Sequence, residues 1–265
     1  MKIYKFIILI LFVSLSLSCS KYDKLLKNGT LKERLEAANN YYDKSNYFKA
    51  LQLYDQLIVE LRGSADFEEA YYKYCYCNYN QEQYMAAAYY FKQLAKTLPN
   101  GKYAEEALYM AAYCLYLESA DAELDQTSTH NALNEFQLFV NKYPESKRIQ
   151  DCNDIMDQLR FKLETKDYNT AYLYFKIEEY KAAVIAFKNL IKDYPATIYK
   201  EQAAYYILKS QYNYALGSIL SKKKERFDEA ANYCDMFKTQ YPNSKYYNEA
   251  EVLDNKIKQQ LKKLN

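Results

Sequence analysis

The sequence predicts an all-α fold, a stack of about five helix-turn-helix repeats, and three observations carry that prediction. The first is a recurring set of offsets: from Ala132 an aromatic follows four residues on (Phe136), an apolar residue seven on (Phe139) and a proline twelve on (Pro144). Ala87, Phe91, Leu94 and Pro99 keep these offsets, as do Ala183, Phe187, Leu190 and Pro195, and Ala230, Cys234, Phe237 and Pro242 with one aromatic replaced. The second is that these are all four prolines of the 265 residues. The third is that eight residues beyond each proline stands another small residue: Ala107, Cys152, Ala203 and Ala250.

Each offset has a physical meaning. Two helices approach to about 8 Å only where a side chain is small, so the alanine marks a crossing. The aromatic four residues later projects from the same face and fills the gap beside it. Proline cannot continue the hydrogen-bond ladder and pushes the preceding residue out of helical geometry, so helices end at Tyr143, Tyr194 and Tyr241. The small residue after the proline belongs to the next helix. A small, small, aromatic, proline order on two helices is the tetratricopeptide pattern, which predicts a superhelix (α-solenoid) whose units bury their apolar faces on one another.

Along the chain, the leader MKIYKFIILILFVSLSLSC comes first, with two lysines ahead of an apolar stretch at 6–17. At about 12 residues this is too short to span a bilayer and reads as a secretory signal over 1–18. Residues 19–30 read as a polar tether. Repeats one to three follow at 31–145. The first is built on Tyr47, Ala50, Tyr54 and Leu57, with Arg62-Gly63 in place of the proline. A proline-free, glycine-free stretch from Ser146 to about Ile177 reads as one long connecting helix, and 146–265 comprises it and repeats four and five. Successive key alanines lie 37, 45, 51 and 47 residues apart, against about 34 in an ideal repeat. The excess is assigned to the polar insertion Glu118 to Thr129, a loop around Ser218 to Arg226, and the long helix.

Composition removes several function classes. The chain carries 36 basic and 34 acidic residues, and Lys2 and Lys5 lie in the leader, so the remainder is balanced and has no basic footprint for nucleic acid. The run Ser221-Lys222-Lys223-Lys224 reads as solvated loop. Beyond Cys19, the cysteines Cys75, Cys77, Cys114, Cys152 and Cys234 are odd in number and lack framework spacing. Cys75 and Cys77 point about 200° apart on a helix, and several of the five occupy small-residue positions of the repeat, so they read as core. One histidine, His130, offers no zinc site and reads as part of a helix start. The four glycines stand far apart and build no phosphate loop. Carboxylate pairs such as Glu68-Glu69, Glu105-Glu106 and Glu178-Glu179 face different sides of a helix. No metal, cofactor or catalytic residue is assigned, and the protein reads as a non-enzyme.

Tyrosine is unusually frequent, at 33 residues with no tryptophan. Two readings account for it: a nucleotide-biased genome, or an aromatic binding surface. Tyr41, Tyr71, Tyr109 and Tyr113 are the candidates for a groove that accepts an extended segment, since tyrosine offers contact area with little entropy to lose. The alternative for each is packing between neighbouring helices.

Two resemblances add to this reading. Leu15-Ser16-Leu17-Ser18-Cys19 resembles the lipobox of bacterial lipoproteins, with Ser16 where a leucine is usual. It implies cleavage before Cys19, covalent lipid (palmitate among the chains) on Cys19, and, with serine at position 20, sorting to the outer membrane. Together with the repeats, the blocks DQTSTHNALNEFQLFVNKYPES, IEEYKAAVIAFKNLIKDYP and KKKERFDEAANYCDMFKTQYPNS make the chain similar to the BamD family of outer-membrane β-barrel assembly lipoproteins. That resemblance implies a scaffold on the periplasmic face of the outer membrane, held by its lipid anchor. It would bind the POTRA region of BamA through 146–265, meet β-barrel precursor polypeptides through the N-terminal groove, and join other assembly-complex subunits. The rival families are the glycan-binding lipoproteins of the SusD type and other periplasmic tetratricopeptide adaptors, although no heptad precedes Ala37.

Overall fold

A computed structural model describes residues 21–264, so the signal segment 1–18 and Cys19 lie outside the described residues. The fold is all-α, of the tetratricopeptide-repeat type. Residues 21–28 are helical (α1), followed by α2 (Leu31–Asp43), α3 (Tyr47–Glu60), α4 (Phe67–Asn80), α5 (Tyr84–Thr97), α6 (Ala104–Leu117) and α7 (Thr127–Lys142). After the long helix α8 (Ile149–Lys176) come α9 (Tyr180–Asp193), α10 (Lys200–Leu216), α11 (Leu220–Gln240) and α12 (Tyr247–Leu264). Two compact units result, 21–120 with 126–156, and 121–125 with 157–264.

The crossing alanines Ala50, Ala87, Ala132, Ala183 and Ala230 are fully buried, and so are the residues four further on: Tyr54, Phe91, Phe136, Phe187 and Cys234. Pro99, Pro144, Pro195 and Pro242 sit exposed just past the last turns of α5, α7, α9 and α11, whose capping residues are Leu98, Tyr143, Tyr194 and Tyr241. The hairpin turns are equally regular. Ser45, Glu82 and Glu178 each stand five residues before the key alanine, and each adopts a left-handed backbone, with φ of 57°, 59° and 64°. A side chain there costs about 1 kcal/mol, which the packing of the two helices it joins offsets. In the first repeat Gly63, at φ 83°, turns the chain where the others use proline.

A second device joins one repeat to the next. Two residues after the last three prolines stand Ser146, Thr197 and Ser244. Each hydroxyl accepts the backbone N–H two residues on (3.2, 3.0 and 3.0 Å). Each also donates to a glutamate of an earlier helix: Glu105 at 2.6 Å, Glu164 at 2.5 Å and Glu201 at 2.6 Å. After Pro99 the position is Gly101, where a Cβ would stand 2.3 Å from Glu68 Oε1; that oxygen accepts the Tyr103 N–H directly at 3.0 Å.

Four expectations about segments need correction. The presumed tether is helical over 21–28, because Tyr22, Leu25 and Leu26 share a helical face: Tyr22 is buried edge-on against Tyr41, and its hydroxyl lies 2.8 Å from the Lys49 carbonyl. The basic run 221–224 lies in the first turns of α11 rather than in a loop. Arg226 anchors that helix start by packing 3.9 Å from the Tyr214 ring and donating to Ser218 Oγ, while Phe227 is buried. The insertion ends sooner than Thr129, since α7 begins at Thr127. Finally, the division into units falls at 156/157, inside α8, and not at 145/146. Arg148 and Asp151 are held by α6, which keeps the start of α8 in the first unit.

Candidate binding grooves

The tyrosines pair in a repeating register. Tyr72 stacks on Tyr103 (4.0 Å, 18° between planes), Tyr168 on Tyr199 (4.3 Å, 13°) and Tyr205 on Tyr246 (4.4 Å, 10°). Tyr103, Tyr199 and Tyr246 each precede a buried alanine by four residues. Arg148, four before Cys152, takes that place in the remaining copy and lies 4.3 Å from the Tyr109 ring centre. Hydroxyls from the same helices reach the carboxylate just before the next small residue: Tyr76 donates to Glu106 (2.6 Å), Tyr109 to Asp151 (2.9 Å) and Tyr205 to Glu249. Burial, then the bond to Asp151, raises the Tyr109 phenol above its ordinary value.

Of the four candidate groove tyrosines, Tyr109 is 5 % exposed, with its ring edge-on to Phe136 and Phe139. It closes the core and lines no groove. Tyr113, half-buried, stacks on it at 5.8 Å. Tyr41 packs on Tyr22, and Tyr71 lies against Phe67 and Tyr74, its phenol pushed up to about 12 by burial. Among the ring contacts of the described residues none joins Tyr41 or Tyr71 to Tyr109 and Tyr113. The four do not form one aromatic surface.

Two of the open concavities lie between successive second helices, one in each unit. In the first unit a cavity of about 430 Å³ separates α5 from α7 over α6, lined by Lys92, Lys96, Leu108, Glu135, Leu138 and Lys142 among others. Lys92 bonds Glu135 Oε1 directly, while Oε2, buried, has no partner. In the second unit a cavity of about 310 Å³ separates α9 from α11 over α10, with Lys188, Lys192, Ile207, Tyr233, Met236 and Phe237 in its wall. The two are the same place in the repeat. Lys92 and Lys188 each stand five residues after a key alanine; Glu135 and Tyr233 stand three after, and Leu138 and Met236 six after. Sequence reasoning missed these residues. The available signal was Glu135, a carboxylate at a position held by Leu53, Tyr90, Ala186 and Tyr233 in the other copies.

No group of three or more His, Cys, Asp or Glu among the described residues is placed to hold a metal. The thiols of Cys75, Cys77, Cys114, Cys152 and Cys234 are all buried, and burial pushes each of them up, so they stay protonated and pack as small apolar groups. His130 is exposed in the first turn of α7. No described helix is long and apolar enough to cross a membrane.

Residues 27–227 match the model of the family described as outer membrane lipoprotein (YfiO). The chain belongs to that family. Within the outer membrane lipoprotein family it is similar to the outer membrane protein assembly factor BamD of Rickettsia prowazekii (strain Madrid E), at 27% identity over 135 residues. The alignment takes in 51% of this chain and 50% of that protein, so the chain spans about half the length of this curated relative. Among solved structures, the tetratricopeptide-repeat domain of P58(IPK) aligns with 91% of the chain and 66% of its own length, at 17% identity and a TM-score of 0.42.

Proposed function

We propose that this member of the outer membrane lipoprotein family is a non-enzymatic scaffold for β-barrel protein assembly. It is anchored by lipid on Cys19 at the periplasmic face of the outer membrane and binds the POTRA region of BamA, other complex subunits and barrel precursors. The observation that carries the reading is family membership over 27–227, taken with a relative named as an assembly factor. The leader and Cys19 support the anchor. Stacked helix pairs with two lined grooves suit a protein that works by binding. Residues 146–265 dock on BamA and the N-terminal groove meets precursors.

The test is a pull-down of the full-length protein from detergent-solubilised membranes with mass spectrometry, run beside Cys19→Ala. Recovery of a POTRA-bearing barrel protein is expected, with palmitate label in the wild type and none in the variant. Recovery of a TonB-dependent transporter would select the glycan-binding reading instead, and an unlabelled wild type would remove the anchor.

A further inference from the structure

The two equivalent grooves differ in one respect that bears on what fills them. In the first unit the lysine five residues after the key alanine is neutralised from within, since Lys92 is bonded to Glu135, a residue 7 % exposed. In the second unit the position of that glutamate is Tyr233. Lys188 has only the phenol there, with its ammonium 3.3 Å from the hydroxyl and 5.8 Å from the ring centre. Two more lysines, Lys192 and Lys200, line the same cavity, and no carboxylate does. None of the three takes part in an ion pair of the described residues. Lys200 donates to the Pro195 carbonyl at 3.0 Å. The same cavity has apolar wall from Ile191, Ala204, Ile207 and Phe237, and Met236 is 62 % exposed.

Charge and shape together narrow the occupant. Uncompensated cations beside an apolar wall favour an anion carried next to an apolar group. A cavity of about 310 Å³ is at the small end for a bound molecule and takes one or two side chains rather than a domain. The first unit supplies the precedent for the anion itself, because there a glutamate side chain already seats on the equivalent lysine. The neighbouring cavity along α9 and α11 marks the limit of the site. It shares Lys188 and Tyr233 with the site and carries Glu225 and Glu229, which engage Lys222 and Gln211 at 2.7 Å each. An anion is therefore drawn to the Lys188–Lys192–Lys200 end.

We propose that the groove between α9 and α11 is a docking site for a short segment of a partner protein that places an Asp or Glu side chain on Lys188 and Lys192 and an adjacent apolar side chain against Met236 and Phe237. The partner's carboxylate does from outside what Glu135 does from inside in the first unit. This rests on the groove alone and stands or falls separately from the assembly reading, because its test needs no other subunit.

The probe is a fluorescein-labelled peptide, Leu-Glu-Phe-Glu-Leu, compared with Leu-Gln-Phe-Gln-Leu by fluorescence anisotropy against the full-length protein in neutral detergent. The acidic peptide binds about tenfold tighter or more, and that margin shrinks as salt rises. Tyr233→Glu, which installs the first unit's internal carboxylate, removes the preference for the acidic peptide. Lys192→Gln, at an exposed position outside any ion pair, weakens it with the fold intact. Val59→Ala, at an exposed position of α3 that lines neither groove, changes nothing. Equal affinity for the two peptides would overturn the proposal, as would undiminished binding in both Tyr233→Glu and Lys192→Gln. Displacement of the peptide by phosphatidylglycerol vesicles but not by phosphatidylcholine vesicles would also overturn it, by giving these lysines a lipid surface as their counterpart.

Discussion

Ala183 shows what a single small side chain does in this fold. It is fully buried among Ala171, Phe187, Ala203 and Ile207, where α8, α9 and α10 converge, and nothing larger fits without moving a helix. Ala183→Leu inserts extra methylenes into a close-packed contact and is expected to cost about 1 to 3 kcal/mol, read as a lower urea midpoint with an unchanged slope. An unchanged midpoint would place the crossing elsewhere. The tyrosines make the complementary point at the same scale. A side chain with two rotatable bonds, a flat face and a hydroxyl can stack on one helix and hydrogen-bond another, as Tyr205 does with Tyr246 and Glu249. Many of the tyrosines are engaged in packing of this kind.

Helices α11 and α12 are joined by a buried charge. Asp254 is 7 % exposed, and its Oδ2 accepts from Lys238 of α11 and, at 3.0 Å, from Lys258 one turn along α12. Burial alone would raise its carboxyl, but hydrogen bonds from the two ammonium groups, and then their charges, hold it below the ordinary carboxylate value. Because the folded value is depressed, the stabilisation is present above the unfolded carboxylate pKa of about 3.9 and is lost as pH falls through the lower folded value. Asp254→Asn is expected to destabilise the protein by about 1 to 3 kcal/mol at pH near 7, and the gap between variant and wild type should close toward about pH 3. Thermal unfolding of both proteins at the two pH values checks this. A gap that stays constant would mean that the carboxylate's charge is not what joins the helices.

Across the whole molecule the phenols act in concert. Burial is the leading cause in each case, pushing Tyr22, Tyr71, Tyr72 and Tyr194 up to about 12 and Tyr54, Tyr74, Tyr76 and Tyr205 further still. A phenol whose folded pKa is raised contributes stability that is complete below its unfolded value of about 10 and is lost as pH rises above it. With many such groups the losses add, so the chain is expected to unfold cooperatively on the alkaline side. Ultraviolet titration should show exposed phenols ionising near pH 10, then a steep second phase that coincides with loss of the helical circular-dichroism signal. A single phase near pH 10 with the helices intact would mean that the stacked tyrosines remain accessible to solvent.

The offsets from each alanine to its aromatic and its proline were enough to place the second helix of every repeat, because those relations lie within one helix and its end, where 3.6-residue periodicity and the missing proline N–H act locally. The small-residue positions of the repeat also marked the cysteines as core, and the lack of proline and glycine marked the stretch after Ser146 as one helix. Other features depend on residues 30 to 44 apart, such as Tyr76 with Glu106, Tyr109 with Asp151, Lys92 with Glu135 and Tyr205 with Glu249. Their pairing is set by how one repeat rests on the next, across insertions of unequal length, and no window along the chain contains both partners. For the same reason the four candidate tyrosines went into packing contacts with neighbouring rings, while two grooves opened between successive second helices. The chain determined by itself which residues are small enough to let helices meet; the tertiary structure decided which charges those meetings neutralise, and left Lys188 without a carboxylate.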